Sequence, residues 1–129
     1  MTGYAADLAA IERAAIAIAG HVHETPLLSC ETFSHCAGRQ LYFKCENLQK
    51  IGAFKIRGGL NAVMALHEDV ASRGVVTHSS GNFAQAVALA AKMRGIPAHI
   101  VMPSNAPGVK RRAVAGYGAR IIECEPTLQ

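Results

Sequence analysis

One lysine stands in a segment whose residue types suit covalent chemistry with a carbonyl compound. Lys55 lies within residues 52–59, which read GAFKIRGG, so glycines on both sides allow a ligand to approach the backbone closely. A neutral lysine amine can form a Schiff base with an aldehyde or ketone. On these residues alone, a solvated lysine at the start of a helix is the simpler interpretation.

The residues after this lysine predict the helix that would position it. A stripe of residues at helical spacing follows the glycines, formed by Leu60, Val63, Met64 and His67. We therefore expect a helix over 58–67 that continues to about residue 71. Lys55 would lie just before this helix or in its first turn.

Residues 79–82, which read SSGN, form a second candidate site. They follow a strand pattern and precede a helical one, and ligands of parallel sheets bind at the carboxyl ends of strands. The free amides of a helix N-terminus suit an anion such as an amino-acid carboxylate. Ser80 or Asn82 could instead cap the helix, and capping is compatible with ligand binding.

Both segments resemble motifs of one enzyme family. Residues 44–50 (KCENLQK) with 52–59, and residues 77–82 (THSSGN), are similar to two motifs of the fold type II pyridoxal-phosphate enzymes, in the same order. The nearest members are the threonine/serine dehydratases and the serine racemases. The similarity extends from about residue 12 to residue 127. Family members are much longer, so the chain resembles their N-terminal part only.

This resemblance implies the fold and its division into domains. We expect an α/β fold with parallel doubly wound sheets in three layers, as in the N-terminal part of a tryptophan-synthase-beta-like fold. Residues 1–72 would form the N-terminal part of the large cofactor domain, which carries the Schiff-base lysine. Residues 73–129 would form a small, incomplete Rossmann-like α/β subdomain.

The resemblance also implies a cofactor and roles for individual residues. Pyridoxal 5'-phosphate would be bound as a Schiff base to Lys55, which would also act as a general base. Phe54 would pack near the cofactor ring, and Asn82 would donate a hydrogen bond to its phenolate oxygen. Ser80 would stand on the face of the cofactor opposite Lys55. The substrate, a small amino acid, would be bound by Ser79, Ser80, Gly81 and Asn82.

Two reactions are compatible with these residues. The main expectation is a threonine/serine dehydratase, an ammonia-lyase that converts small hydroxy amino acids to a 2-oxo acid and ammonia. The alternative is a racemase of serine or of an aspartate-type amino acid, in which Ser80 returns a proton from the second face. Threonine dehydratases usually carry alanine where Ser80 stands, whereas relatives with SSGN are also commonly dehydratases. Phe83-Ala84 stands where many relatives have His-Gly or His-Ala.

A third expectation follows from the parts of the family pattern that lie downstream of the matched region. These parts are the glycine-rich phosphate loop, the group that faces the pyridine nitrogen and the divalent-cation ligands. The chain could therefore be a truncated, inactive fragment that needs a partner chain. A complete enzyme would be a homo-oligomer, a dimer, and could hold a divalent cation, for which this chain supplies no ligands.

The rest of the sequence alternates strand and helix patterns as a parallel sheet requires. Strand patterns at 75–78, 98–102 and 119–124 are separated by helical patterns at 82–94 and 107–117. The strand at 98–102 is apolar enough to be buried on both faces.

The first part of the chain predicts both helices and extended segments. Residues 5–19 predict an amphipathic helix with Leu8, Ile11, Ala15 and Ile18 on one face. Residues 25–29 and 40–46 are extended, and residues 31–36 predict a short helix.

Composition excludes several other functions. With 129 residues, of which 50% are hydrophobic and 17% charged, the chain fits one globular unit of ordinary size. The net charge of +4 is scattered, and the basic run 110–112 predicts a solvated helix face, not a nucleic-acid site. Four cysteines without CxxC spacing favour reduced thiols and a cytoplasmic protein. The dispersed histidines predict no metal site, and no apolar run predicts a membrane partner.

Overall fold

The computed structural model describes residues 6–126. The helices are α1 (Leu8–Ile18), α2 (Glu31–Ala37), α3 (Lys55–Met64), α4 (Glu68–Ala71), α5 (Asn82–Arg94) and α6 (Gly108–Gly116). The strands are β1 (Leu27–Ser29), β2 (Tyr42–Lys44), β3 (Val75–His78), β4 (Ala98–Pro103) and β5 (Arg120–Cys124). Two short 3-10 turns, Glu46–Leu48 and Lys50–Gly52, lead into α3.

The last three strands form a parallel sheet with β4 at its centre. Val75 pairs with Ala98 on one side of β4, and His99 pairs with Arg120 on the other. Helices α5 and α6 connect these strands, and α5 spans the predicted residues 82–94. The predicted alternation and the parallel α/β class are therefore confirmed.

Both connecting helices pack on one face of this sheet. The buried side of β4, formed by Ala98, Ile100 and Met102, shares one hydrophobic core with residues of α5 and α6. On the other side, His99 and Val101 are only half-buried, so the prediction that this strand is buried on both faces is wrong. Helices for the second face of a doubly wound sheet are not among residues 6–126.

Helix α5 lies at the centre of the fold and is buried along most of its length. Alanine is its commonest residue, and these small side chains let the neighbouring elements pack closely against it. Ala84 and Ala88 face the core of the sheet, whereas Ala86 and Ala90 face a second core. The α3 side of that second core consists of Ile56, Leu60 and Val63. The described residues therefore stack in three layers: the sheet, then α5 with α6, then α3 with α1.

Helices α3 and α5 run parallel and approach each other closely. Midway along them, a Cβ added to Gly59 would lie 3.0 Å from the Cβ of Ala86. At their C-terminal ends, the guanidinium of Arg94 donates hydrogen bonds to the carbonyl groups of Val63 and Leu66. The two N-termini therefore lie at the same end of the pair. The predicted boundary near residue 72 falls between these helices and stays a prediction.

Helix α3 differs from the predicted helix over 58–67 at both ends. It spans Lys55–Met64, and the backbone of His67 is extended before α4 begins. Arg94 favours this early end, because it binds carbonyl groups at the end of α3 that a continuing helix would use. Leu60 and Val63 are buried as expected, but the side chain of His67 is exposed, so its place on the apolar stripe is wrong.

Helix α1 and the strands β1 and β2 form the N-terminal part of the described structure. Ile18 of α1 is buried in the core shared with α3, but Leu8 and Ile11 are exposed, so the predicted apolar face of α1 is only partly buried. Residue 5, where that prediction begins, lies outside the described residues. The segments predicted at 25–29 and 40–46 form the antiparallel pair β1–β2. None of the described helices is both long and apolar enough to cross a membrane.

We expect Gly59→Ala to lower the free energy of unfolding by about 1–3 kcal/mol, because the new methyl group would overpack the contact between α3 and α5. It would lie 3.0 Å from the Cβ and 3.3 Å from the backbone carbonyl carbon of Ala86. Urea denaturation followed by circular dichroism measures this change.

The matched control is Gly58→Ala, on the same helix. A Cβ at Gly58 meets nothing within 4 Å, and alanine favours a helix over glycine by about 0.5–1 kcal/mol. Equal stability of the two variants would show that the close contact at Gly59 does not limit the packing of the two helices.

Candidate active site

Lys55 is the first residue of α3, as the sequence predicts for its first turn. Its side chain is exposed, and its Nζ lies 5.0 Å from the centroid of the Phe54 ring. Phe54 is itself 58% exposed. A lysine amine beside an open aromatic face is thus available to a ligand that brings a carbonyl group and a flat ring.

The fold brings the two candidate segments to the same place. Gly59 lies one turn after Lys55, Ala86 lies one turn after Asn82, and Gly59 and Ala86 are in close contact. Because α3 and α5 run parallel, the turns that precede this contact extend in the same direction. Lys55 and residues 79–82 therefore lie at one end of the helix pair, at the carboxyl edge of the sheet.

Ser79 caps α5. Its Oγ accepts hydrogen bonds from the backbone amides of Gly81, at 3.3 Å, and of Ala84, at 3.2 Å. The expectation that Ser80 or Asn82 caps this helix is therefore wrong. The side chain of Ser80 is exposed and has no hydrogen-bond partner among residues 6–126. Its hydroxyl is free to act on a ligand.

The side chain of Asn82 is hydrogen-bonded to a lysine of α6. Its Oδ1 accepts a hydrogen bond from the Nζ of Lys110 at 2.5 Å, and a longer one from the Nε2 of Gln85 at 3.5 Å. Arg111 pairs with Glu123 at 3.0 Å. The prediction that residues 110–112 form a solvated face is therefore wrong for the first two of them.

A network of polar side chains anchors the loop before Lys55. Arg57 donates to both carboxylate oxygens of Glu46, from Nε at 2.8 Å and from Nη2 at 2.7 Å, and the hydroxyl of Thr25 donates to Glu46 at 2.6 Å. The hydrogen bonds from Arg57, which contribute most, and from Thr25 together outweigh the effect of desolvation. They lower the pKa of Glu46 from 4.5 to about 2. The same pairing with Glu46 raises the pKa of Arg57. The nearby charge of Lys44 adds a smaller attraction.

A buried glutamine supports the same loop. Gln49 is 3% exposed, and its side chain bonds both the amide and the carbonyl of His23, at 2.9 and 2.8 Å. It also accepts from the amide of Lys50. Next along the chain, Ile51 has a φ of 62°, a conformation that is rare for a β-branched residue. These bonds stabilise a strained turn just before Lys55.

Sequence reasoning missed this network and the Lys110 contact. Glu46, Gln49 and Arg57 lie inside the motifs that carry the resemblance, but the partners His23 and Thr25 lie more than 20 residues away along the chain. The only available sequence signal for this network was an acidic residue, Glu46, before the lysine and a basic residue, Arg57, after it.

Two further observations concern parts of the described residues other than Lys55. A groove of about 540 Å³ runs between α1 and the N-terminal half of α3, with Ile11, Ile18 and Arg57 in its walls but not Lys55, Ser80 or Asn82. The described residues contain no cluster of three or more histidine, cysteine, aspartate or glutamate side chains that could hold a metal ion.

Comparison with known proteins gives consistent matches. Residues 18–129 match the family described as pyridoxal-phosphate dependent enzymes. The chain is 56% identical over 127 residues to a serine racemase of Oryza sativa subsp. indica, which covers 98% of this chain. It is 48% identical over 120 residues to a beta-hydroxyaspartate dehydratase of Paracoccus denitrificans, which covers 93% of this chain.

A solved structure of maize serine racemase superposes with a TM-score of 0.92, at 54% identity over 97% of this chain. The chain spans 38% of the rice and maize proteins and 37% of the dehydratase.

The donor set at the shared helix end fits pyridoxal phosphate. The amine of Lys55 is exposed toward solvent, where an aldehyde can reach it, and Phe54 offers an open ring face. Because Oδ1 of Asn82 is occupied, its amide nitrogen is left to donate to a ligand oxygen. The backbone amides of Ser80, Asn82 and Phe83 donate to no other described residue, so they can bind an anion.

We expect Glu46→Gln to lower the free energy of unfolding at pH 7 by about 1.5–3 kcal/mol, since Arg57 would lose its charged partner. The pKa of Glu46 is about 2 in the folded protein, below its ordinary 4.5. Its contribution is therefore full above pH 4.5 and is lost as the pH falls toward 2. Urea denaturation at pH 7, 5 and 3 should show the gap between variant and native protein closing.

Glu68→Gln is the matched control, because Glu68 pairs with Arg94 at 3.2 Å but its side chain is 84% exposed. This control should change stability by less than about 1 kcal/mol. A gap for Glu46→Gln that stays constant down to pH 3 would contradict the role given to this carboxylate.

Proposed function

The chain belongs to the family of pyridoxal-phosphate dependent enzymes, and we propose that the full-length protein is a serine racemase that also dehydrates serine and threonine. Serine racemases are among its most similar relatives, and the dehydratase of Paracoccus denitrificans supports the second activity. Dehydration, the main expectation from sequence, thus takes second place to racemisation.

The observation that carries this proposal is the free hydroxyl of Ser80. Inversion needs a proton donor on each face of a planar carbon, and one lysine can serve only one face. Because Ser79 caps α5, Ser80 is not needed for that role, and its exposed side chain lies at the same end of the helix pair as Lys55.

Lys55 would hold the cofactor and remove the proton from the alpha carbon of the L-amino acid. When bound, pyridoxal phosphate stabilises the negative charge that this step leaves on the carbon. Phe54 would pack beside the ring, and Asn82 would donate from its amide nitrogen to the ring oxygen. Elimination of the substrate hydroxyl needs a base on the Lys55 face only, so it accompanies racemisation in the same site.

The substrate carboxylate would be bound by residues 79–82. Free amides at the start of α5 and the positive end of the helix dipole favour a negative group there. The hydroxyl of Ser79 is already used as a cap, so its contribution would come from the turn that it stabilises. A homodimer of the full-length protein is part of this proposal.

Reduction of the full-length protein with borohydride in the presence of pyridoxal phosphate should place the cofactor on Lys55. Lys44 and Lys50 are internal controls in the same tryptic region. The Nζ of Lys44 donates to the carbonyl of Thr25 at 2.7 Å, and this bond would have to break before Lys44 could react. Mass spectrometry of the peptides checks this, and label spread over several lysines would contradict the assignment.

We expect Ser80→Ala to lose racemisation by about two orders of magnitude, as for removal of a general acid–base group, while dehydration of L-serine largely survives. Chiral analysis of recovered serine and release of the 2-oxo acid measure the two reactions separately. Ser72→Ala, at an exposed serine that bonds the carbonyl of Asp69, is the control and should change neither. Equal loss of both reactions in Ser80→Ala would assign Ser80 to substrate binding instead.

A further inference from the structure

We propose that Lys110 is a positioning residue that orients the side-chain amide of Asn82 toward the cofactor. The Nζ of Lys110 lies 2.5 Å from the Oδ1 of Asn82, and this bond joins the first turn of α6 to the first residue of α5. The inference rests on the proposed function, because the ligand that Asn82 would meet is pyridoxal phosphate.

The chemistry of lysine determines which way the amide points. An ammonium group has three donors and no acceptor, so the asparagine atom that faces it must be the oxygen. Gln85 adds a second donor, its Nε2, at 3.5 Å from the same oxygen. With Oδ1 occupied from α6 and from its own helix, the nitrogen of Asn82 must point away from both.

The contact is specific to this lysine within the basic run. Arg111 is directed to Glu123 on β5, and Arg112 is exposed. Lys110 is half-buried between two helices that pack on the same face of the sheet, so its side chain has few other positions. Gln85 is 6% exposed but is a long and neutral donor, and alone it would hold the amide weakly.

Two consequences follow for the site. The amide nitrogen of Asn82 is presented to a ligand oxygen without the need to choose between two flipped orientations. The positive charge on the oxygen side also polarises the amide, which makes its nitrogen a stronger donor to a negatively charged oxygen. Lys110 therefore acts on the cofactor through Asn82 and does not touch it.

The test compares Lys110→Met with Arg112→Met in the full-length protein. Both variants remove one positive charge from α6, but Arg112 is exposed and makes no hydrogen bond with a described side chain. We expect Lys110→Met to weaken pyridoxal-phosphate binding roughly 10-fold, the effect of losing one hydrogen bond to a charged group, and to shift the visible absorption of the bound cofactor. Arg112→Met should leave both within about twofold.

A double-variant cycle separates positioning from a general structural role. If Lys110 acts through Asn82, then Asn82→Ala should weaken binding as much alone as together with Lys110→Met. Losses that add, or native affinity in Lys110→Met, would overturn the inference. Lys110→Gln, which offers an acceptor as well as a donor, should give a smaller loss and serves if the methionine variant does not fold.

A measurement without cofactor keeps this result distinct from the proposed function. The side-chain NH2 signals of Asn82, observed with 15N-labelled asparagine, should move in Lys110→Met and stay in place in Arg112→Met. Unchanged signals in Lys110→Met would overturn the positioning role. Moved signals in a protein that binds no pyridoxal phosphate at Lys55 would overturn the proposed function and leave the contact with Asn82 intact.

Discussion

The close parallel packing of α3 and α5 is the contact on which the candidate site depends. Gly59 has no side chain to separate it from Ala86, and Arg94 ties the far ends of the two helices together. A larger residue at the middle contact would force the helices apart and carry Lys55 away from residues 79–82. A small-residue contact in the core thus positions groups that are distant in sequence.

The end of the helix pair that carries Lys55 and residues 79–82 is built from loops, whose backbone groups have no regular partners. Side chains supply those partners instead. Gln49 binds the backbone of His23, and Lys44 donates to the carbonyl of Thr25. Bonds between side chains add to this support, because Glu46 joins Arg57 to the hydroxyl of Thr25. Because these groups are only partly exposed, each lost bond would leave a polar atom poorly satisfied. The turn before Lys55 can therefore stay in a strained conformation.

Hydrogen bonding also divides the roles of neighbouring polar residues. The side-chain oxygen of Ser79 accepts hydrogen bonds at the start of α5, and the side-chain oxygen of Asn82 accepts one from Lys110. What remains free is the hydroxyl of Ser80 and the amide nitrogen of Asn82. The site is thus defined as much by the groups that the fold has already occupied as by the residue types of the motif.

Sequence alone determined the order of strands and helices, the parallel class of the sheet and the choice of the two candidate segments, because these depend on local periodicity and short motifs. Sequence could not show which serine caps α5, that Lys110 reaches Asn82, or that Glu46 pairs with Arg57. Those facts depend on three-dimensional distances, which sequence spacing does not give even for residues as near along the chain as Ser79 and Ala84 or Glu46 and Arg57. Only the packing of the helices and loops sets these distances, because each of these side chains has several possible partners until the fold brings one of them within reach.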